Sequence, residues 1–189
     1  MASSVLLMSM SVDGYIAGPN DAPGNPGGDG FMRLHEWYKT ADGDFGRPDG
    51  PAADIWNELN ATGAVLVGRR TAEQVDYYGG HHHGVPIFVV SHDPTPVGYE
   101  NVHVVGDIET AMAQAKAAAG DKDVLVHGAV TAQQALAAGV LDELQLSQVP
   151  VLFGSGLRLF DVLPHRVELE VVRVIDTPRA THIRYRVLN

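Results

Sequence analysis

Residues able to do chemistry concentrate in three places: a duplicated strand–glycine–threonine unit, nine histidines, and a few carboxylates that follow apolar runs. The duplicated unit reads Val65-Leu66-Val67-Gly68-Arg69-Arg70-Thr71-Ala72-Glu73-Gln74. It recurs, one residue longer, as Val124-Leu125-Val126-His127-Gly128-Ala129-Val130-Thr131-Ala132-Gln133-Gln134. In each, a hydrophobic strand runs into a glycine, and a Thr-x-x-Gln capping box is expected to open a helix. Glycine lets the chain turn tightly and lets a ligand approach the backbone. A helix N-terminus presents unpaired N–H groups and positive potential to an anion. Two such units in one sheet suit the phosphates of one dinucleotide. Arg69 and Arg70 suit a 2′-phosphate on the adenosine ribose, because guanidinium forks match phosphate oxygens. The second unit is uncharged there and would offer backbone N–H groups from Gly128, Ala129, Val130 and Thr131 to a pyrophosphate. Either unit alone is equally compatible with an ordinary capped helix.

His81-His82-His83, with His92 nearby, raises the question of a metal. Neighbours in a run diverge, there is no His-Glu-x-x-His, and there is no cysteine to complete a site. The expectation is therefore no metal, and an exposed histidine turn that adds positive charge below its pKa near the cofactor mouth. A histidine-based metal-dependent hydrolase is the alternative of that kind. No Gly-x-x-x-x-Gly-Lys precedes any lysine, which excludes a P-loop. Gly154-Ser155-Gly156 is not Gly-x-Ser-x-Gly, so Ser155 is a poor hydrolase nucleophile. Asp13, after the first strand, reads as an acid that orients or protonates a substrate, or as part of a plain turn. Glu36 is the second candidate acid. Asp142-Glu143 reads as a cap that orients the start of a strand.

The elements that must position these residues are legible from periodicity. Apolar runs at Val5–Ser9, Ala64–Val67, Pro86–Val90, Val102–Val105, Val124–Val126 and Leu144–Val149 have strand length. The first five alternate little with polar residues, as in strands covered on both faces. Ile108, Ala111, Met112, Ala115 and Ala119 fall at helical spacing before Gly120. Strand–helix alternation implies an α/β domain with a mostly parallel sheet. Val167-Glu168-Leu169-Glu170-Val171 and Ile183-Arg184-Tyr185-Arg186-Val187 alternate on either side of Asp176-Thr177-Pro178-Arg179, predicting a C-terminal antiparallel hairpin at a sheet edge. No composition break divides residues 1–189, so one domain is expected.

Between Gly14 and Pro51, 38 residues carry nine of the 21 glycines and five of the 11 prolines, too many for a long helix or a central strand. Long loops of this kind are lids, binding loops or surface insertions. The 189 residues carry 13 Lys+Arg against 23 Asp+Glu, a net charge of −10 that disfavours nucleic acid and anionic membranes. No targeting segment or membrane-length apolar run is seen, and the cytoplasm is the default location.

Five blocks in order resemble the dihydrofolate reductase-like superfamily, and within it the reductase domain of the riboflavin-biosynthesis deaminase-reductases. They are Ser11-Val12-Asp13-Gly14-Tyr15-Ile16-Ala17, Val67-Gly68-Arg69-Arg70-Thr71, Phe88-Val89-Val90-Ser91-His92, Gly139-Val140-Leu141-Asp142-Glu143-Leu144 and Pro150-Val151-Leu152-Phe153-Gly154-Ser155-Gly156. The resemblance implies a mixed, mostly parallel sheet flanked by helices, and NADPH-dependent hydride transfer to a pterin- or aminouracil-like small molecule. In the riboflavin pathway that substrate is a phosphoribosylaminouracil. It places the adenosine end at Gly68–Thr71, Ser91 and His92, and the pyrophosphate at Gly128–Thr131. The nicotinamide would lie near Ile16 and Ala17, and the substrate by Asp13, Leu34, Trp37 and Gly154. Such reductases pair as homodimers. A non-catalytic nucleotide-binding module of the same fold is the alternative. Two departures stand out. His127-Gly128 replaces a paired glycine, and Leu34 stands where folate-type reductases carry an acid. In the insertion from 19 to 47, Arg33, Lys39 and Arg47 are the only cations available to a substrate phosphate.

Overall fold

A computed structural model describes residues 2–163 and 165–188. The chain runs through β1 (Ser4–Ser11), β2 (Tyr15–Ala17), a 3-10 helix (Phe31–Tyr38), α1 (Ala52–Ala61), β3 (Ala64–Gly68) and α2 (Arg69–Gln74). There follow β4 (Ile87–Val90), β5 (Val102–Val105), α3 (Ile108–Ala119), β6 (Val124–His127), α4 (Ala129–Ala137) and β7 (Glu143–Val149). The chain closes with β8 (Leu157–Arg158), β9 (Glu168–Thr177) and β10 (Ala180–Leu188). Eight strands form one sheet in the order β5-β4-β3-β6-β1-β7-β10-β9. The six from β5 to β7 are parallel, and β10 and β9 add the expected antiparallel hairpin at the edge.

The unbroken apolar runs follow from burial on both faces. Successive side chains alternate across a strand. Leu6, Leu66 and Val126 face α3 and α4, where Ala111, Ala115, Ala132 and Ala135 allow close packing. Leu7, Val65 and Leu125 face the other side, against Leu34, Trp37 and Ile55. Each such leucine withdrawn from water contributes about 1.5–3 kcal/mol. Asp142 does what its position predicts. Its carboxylate accepts from Ser4 N at 2.8 Å, Ser4 Oγ at 2.9 Å and Lys116 Nζ at 2.7 Å, tying the starts of β1 and β7 together.

The capping boxes are corrected. Both helices begin at the glycines, Gly68 and Gly128, and neither has a side-chain cap. Thr71 and Thr131 lie inside the first turn, because glycine itself serves as N-cap and Arg-Arg or Ala-Val continues the helix at once.

The glycine-rich stretch is a packed wall rather than an idle insertion. Gly18 N donates to Gly27 O and Asp29 N to Pro19 O, both at 2.8 Å. Gly28 has φ +71° and lies so close to the carbonyl oxygens of Gly18 and Pro19 that no side chain fits. β2, at its start, pairs with β8 in a separate two-stranded sheet.

Candidate active site

Chain order reverses beside β6. The path leaves β1, builds β3, β4 and β5 outward, then returns to insert β6 between β3 and β1. Open α/β sheets bind ligands at such a switch point, outside the carboxyl ends of the strands. A cavity of about 480 Å³ lies there. Its floor is Leu7, Met8 and Ser9 of β1, and one rim is Thr71, His127, Gly128 and Ala129. The 3-10 helix contributes Phe31, His35, Trp37 and Tyr38, α1 contributes Trp56, Leu59 and Asn60, and β2 contributes Ile16 and Ala17. A more open hollow of about 670 Å³ lies at the opposite, amino ends of β1, β6 and β7, away from both glycine turns.

The two glycine turns press on each other. Val67 pairs with His127 across β3 and β6. A Cβ on Gly68 would meet Thr131 Oγ1 at 3.0 Å, and one on Gly128 would meet Thr71 Oγ1 at 3.1 Å. Gly128 also has φ +92°, which L side chains disfavour. The uncapped first-turn N–H groups of α4 therefore stand beside a cradle from which side chains are excluded.

Beyond the turns the cavity is lined by histidine and tyrosine. Tyr78 Oη lies 3.1 Å from His127 Nδ1, and the Tyr78 and His82 ring centroids are 4.6 Å apart. Tyr78 is carried by a left-handed turn in which Asp76, Tyr77 and Tyr78 have φ between +47° and +55°. Such backbone costs of order 1–3 kcal/mol per residue and persists where the surroundings over-determine it. Burial pushes the Tyr78 phenol up to about 12. Burial, with the neighbouring imidazoles adding to it, pushes His82 down to about 3 and His127 down to about 4. Burial also lowers His35 and His83.

The histidine expectation is thus corrected: His81 is exposed, but His82 and His83 turn inward as neutral rings. His83 Nε2 reaches Thr62 Oγ1 at 3.0 Å. Among the described residues no group of three or more His, Asp or Glu could hold a metal.

The two acids named from sequence lie outside this cavity. Asp13 Oδ1 accepts from Ser11 Oγ at 2.6 Å and Phe153 N at 3.1 Å, and Oδ2 accepts from Gly154 N at 2.7 Å. The Ser11 hydroxyl foremost, with those backbone N–H groups, pulls the carboxyl down to about 2. Asp13 and Gly154 together fasten the loop after β7, and neither lines the cavity. Glu36 pairs with Arg33 at 3.4 Å and Lys39 at 3.5 Å, also away from the cavity. Leu34 is fully buried in the core, and its neighbour His35 faces the hollow instead.

Of the cradle residues, Thr71, Gly128 and Ala129 line the cavity, Thr131 is buried behind it and Val130 is exposed. Arg69 is committed to the loop after β4: Nε donates to Ser91 Oγ at 2.8 Å, and Nη2 donates to Asp93 O at 2.8 Å and Thr95 O at 2.9 Å. Arg70 extends outward to Asp21 Oδ2 at 2.9 Å, and His92 is exposed. Sequence reasoning missed Tyr78, Trp56 and Asn60. Only Gly79-Gly80 hinted at a special turn.

A model of the RibD C-terminal domain family matches residues 4–183. The chain belongs to that family. No curated protein was found to match it. Among solved structures, a protein from Shewanella sp. PV-4 provisionally assigned to riboflavin biosynthesis aligns with a TM-score of 0.76 and 23% identity over 99% of both chains. A Thermotoga maritima diaminohydroxyphosphoribosylaminopyrimidine deaminase/5-amino-6-(5-phosphoribosylamino)uracil reductase aligns with a TM-score of 0.64 and 14% identity, over 99% of this chain and 57% of that one. Dihydrofolate reductase from Enterococcus faecalis, complexed with NADP(H) and RAB-propyl, aligns with a TM-score of 0.62 and 16% identity, over 99% and 97%. At these identities the likeness shows the fold: this RibD C-terminal domain has the dihydrofolate reductase-like sheet. No helix among the described residues is long and apolar enough to cross a membrane.

Proposed function

We propose that this RibD C-terminal domain is an NADPH-dependent reductase acting on a small pterin- or pyrimidine-like molecule in the 480 Å³ cavity. The observation that carries the reading is the Gly68–Gly128 cradle opening into a cavity at the switch point, next to the uncapped start of α4. The residues fit the cofactor. Gly128, Ala129 and Val130 offer N–H groups to the pyrophosphate, with Thr71 and Thr131 behind them. Ile16 and Ala17 lie where a nicotinamide would reach the cavity. Arg69 shapes the 91–95 loop for the adenosine end, and exposed His92, with Arg70 once it turns from its Asp21 partner, would meet a 2′-phosphate. When bound, the reduced nicotinamide supplies a hydride.

The protein's share is orientation, exclusion of water and proton supply. Tyr78 Oη is one of the proton-bearing groups in the cavity. It is neutral at physiological pH and oriented by His127, and we assign it the proton role in place of Asp13 and Glu36. With the ring proton on Nδ1, 3.1 Å from Tyr78 Oη, neutral His127 donates to the phenol oxygen and leaves the Tyr78 proton for the substrate. We also propose a homodimer paired through the exposed edge strand β9, where Val171 and Val174 are 58% and 55% exposed.

Thermal unfolding with added nucleotide tests the reading. NADPH at one hundred times its Kd should add about 2.7 kcal/mol of stability, and NADH at the same concentration should add less. No shift with either would overturn it.

A further inference from the structure

The reductase reading leaves the substrate open, and the charges around the cavity narrow it. Resting on that reading of the site, we propose that the substrate portion of the cavity takes an uncharged, flat, unsaturated ring compound and rejects phosphate esters. The riboflavin-pathway substrate, a phosphoribosylaminouracil, would then be excluded from this member.

Among the described residues no lysine or arginine lines the hollow. The three cations of the glycine-rich segment are spent elsewhere. Arg33 and Lys39 pair with Glu36, and Arg47 Nε donates to Asn57 Oδ1 at 3.0 Å. Arg158, near the β2 side, donates to Asp13 O and stacks over Tyr15. Arg70 is held by Asp21, the one carboxylate in the lining, whose other oxygen accepts from Gly27 N and Gln74 Nε2. The one charge in the lining is therefore a carboxylate already paired with Arg70 outside it. The imidazoles do not change this at neutral pH, because burial opposes their protonation. A phosphate dianion placed here would lose its hydration and gain no counter-ion.

What the lining offers instead is ring surface. Phe31 and His35 have centroids 4.4 Å apart, His35 and Tyr38 5.6 Å, and Tyr38 and Trp56 5.4 Å, forming a continuous ladder. Tyr78, His82 and His127 form a second set on the same hollow. Flat rings stack favourably on such surfaces. The Tyr78 hydroxyl and Asn60 supply a few polar contacts at the edges of a bound ring, the usual composition of a small-molecule site.

Both tryptophans of the chain, Trp37 and Trp56, line the cavity, so intrinsic fluorescence reports its occupancy directly. The probes are 6-hydroxymethylpterin and its phosphate monoester, titrated into the full chain with and without NADPH and cross-checked by calorimetry. The neutral pterin should quench and bind at least tenfold tighter than the ester. An ester that binds as tightly, or a neutral pterin that fails to bind at millimolar concentration, overturns the proposal. Asn60→Lys places a cation on the exposed end of α1 at the cavity, and it should shrink or reverse the preference. An unchanged ratio would show that charge is not the discriminator and would also overturn the proposal. The NADPH-induced thermal shift, measured on the same preparation, keeps the two claims apart. A shift with ester preference sinks the substrate class alone, and no shift sinks the reductase reading.

Discussion

At the scale of single residues, the proposed function puts the chemistry on neutral groups rather than on the acids that sequence favours. Asp13 is engaged by three donors and held near 2, so it anchors Phe153 and Gly154. Tyr78 faces the cavity with its proton intact. Tyr78→Phe should lower kcat by about 100-fold or more, the usual worth of a positioned acid, with NADPH affinity within about twofold of wild type. Asp13→Asn should instead lower thermal stability and leave the activity of folded enzyme nearly intact. Steady-state kinetics alongside melting curves separate the two, and a larger kcat loss in Asp13→Asn would reverse the assignment. The buried histidines set an acid limit. His82, His127 and His182 are held near 3, 4 and 4, below the usual 6.5. Between those values the unfolded chain binds protons that the folded chain refuses, so stability falls as pH falls below about 6.5. At about pH 5.5 each histidine costs about 1.4 kcal/mol. Melting curves from pH 7.5 to 4.5 should show Tm falling progressively, and a flat profile would contradict buried neutral rings.

At the scale of elements, α1 is the piece whose placement the cavity needs most. Glu58 receives Arg173 Nη1 at 2.6 Å and Nη2 at 2.8 Å, and Arg184 Nη1 at 3.2 Å, riveting α1 to β9 and β10. That rivet presents Trp56 and Asn60 to the hollow. Glu58→Ala should cost about 1–2 kcal/mol, discounted for partial exposure, or several degrees in Tm, and should weaken pterin binding with little effect on NADPH. Equal losses for both ligands would place α1 outside the substrate wall. On β9, Val171→Lys with Val174→Lys should convert a dimer to a monomer in light scattering, and a wild type that is already monomeric would remove the edge-pairing proposal. The eight strands of the main sheet and α3 were legible because their apolar patterns are regular, whereas the short β2 and β8 carry no such pattern. The start points of α2 and α4 were not, since a glycine N-cap competes with a Thr-x-x-Gln pattern and the pattern alone cannot rank them. The Tyr78 turn was not legible either. Left-handed tyrosines are imposed by tertiary packing, and nothing local in Asp76-Tyr77-Tyr78 announces them.

At the scale of the molecule, the proposed function asks a chain of net charge −10 to bind an anionic cofactor against its own field. On that reading the uncapped N–H groups at the Gly128 turn, with Arg70 turned from Asp21, supply the local attraction. The family and its fold were readable from short ordered motifs. The pairing of the cavity's one charge was not, because it depends on which partners the cations choose in three dimensions. The most direct test of the account is NADPH binding to wild type and to Gly128→Ala, followed by calorimetry with circular dichroism as the fold control. The account predicts saturable binding to wild type, tighter than NADH, and at least tenfold weaker binding to a folded Gly128→Ala, whose new Cβ fills the cradle at 3.1 Å from Thr71 Oγ1. Equal binding by the two proteins, or none by wild type, would contradict it.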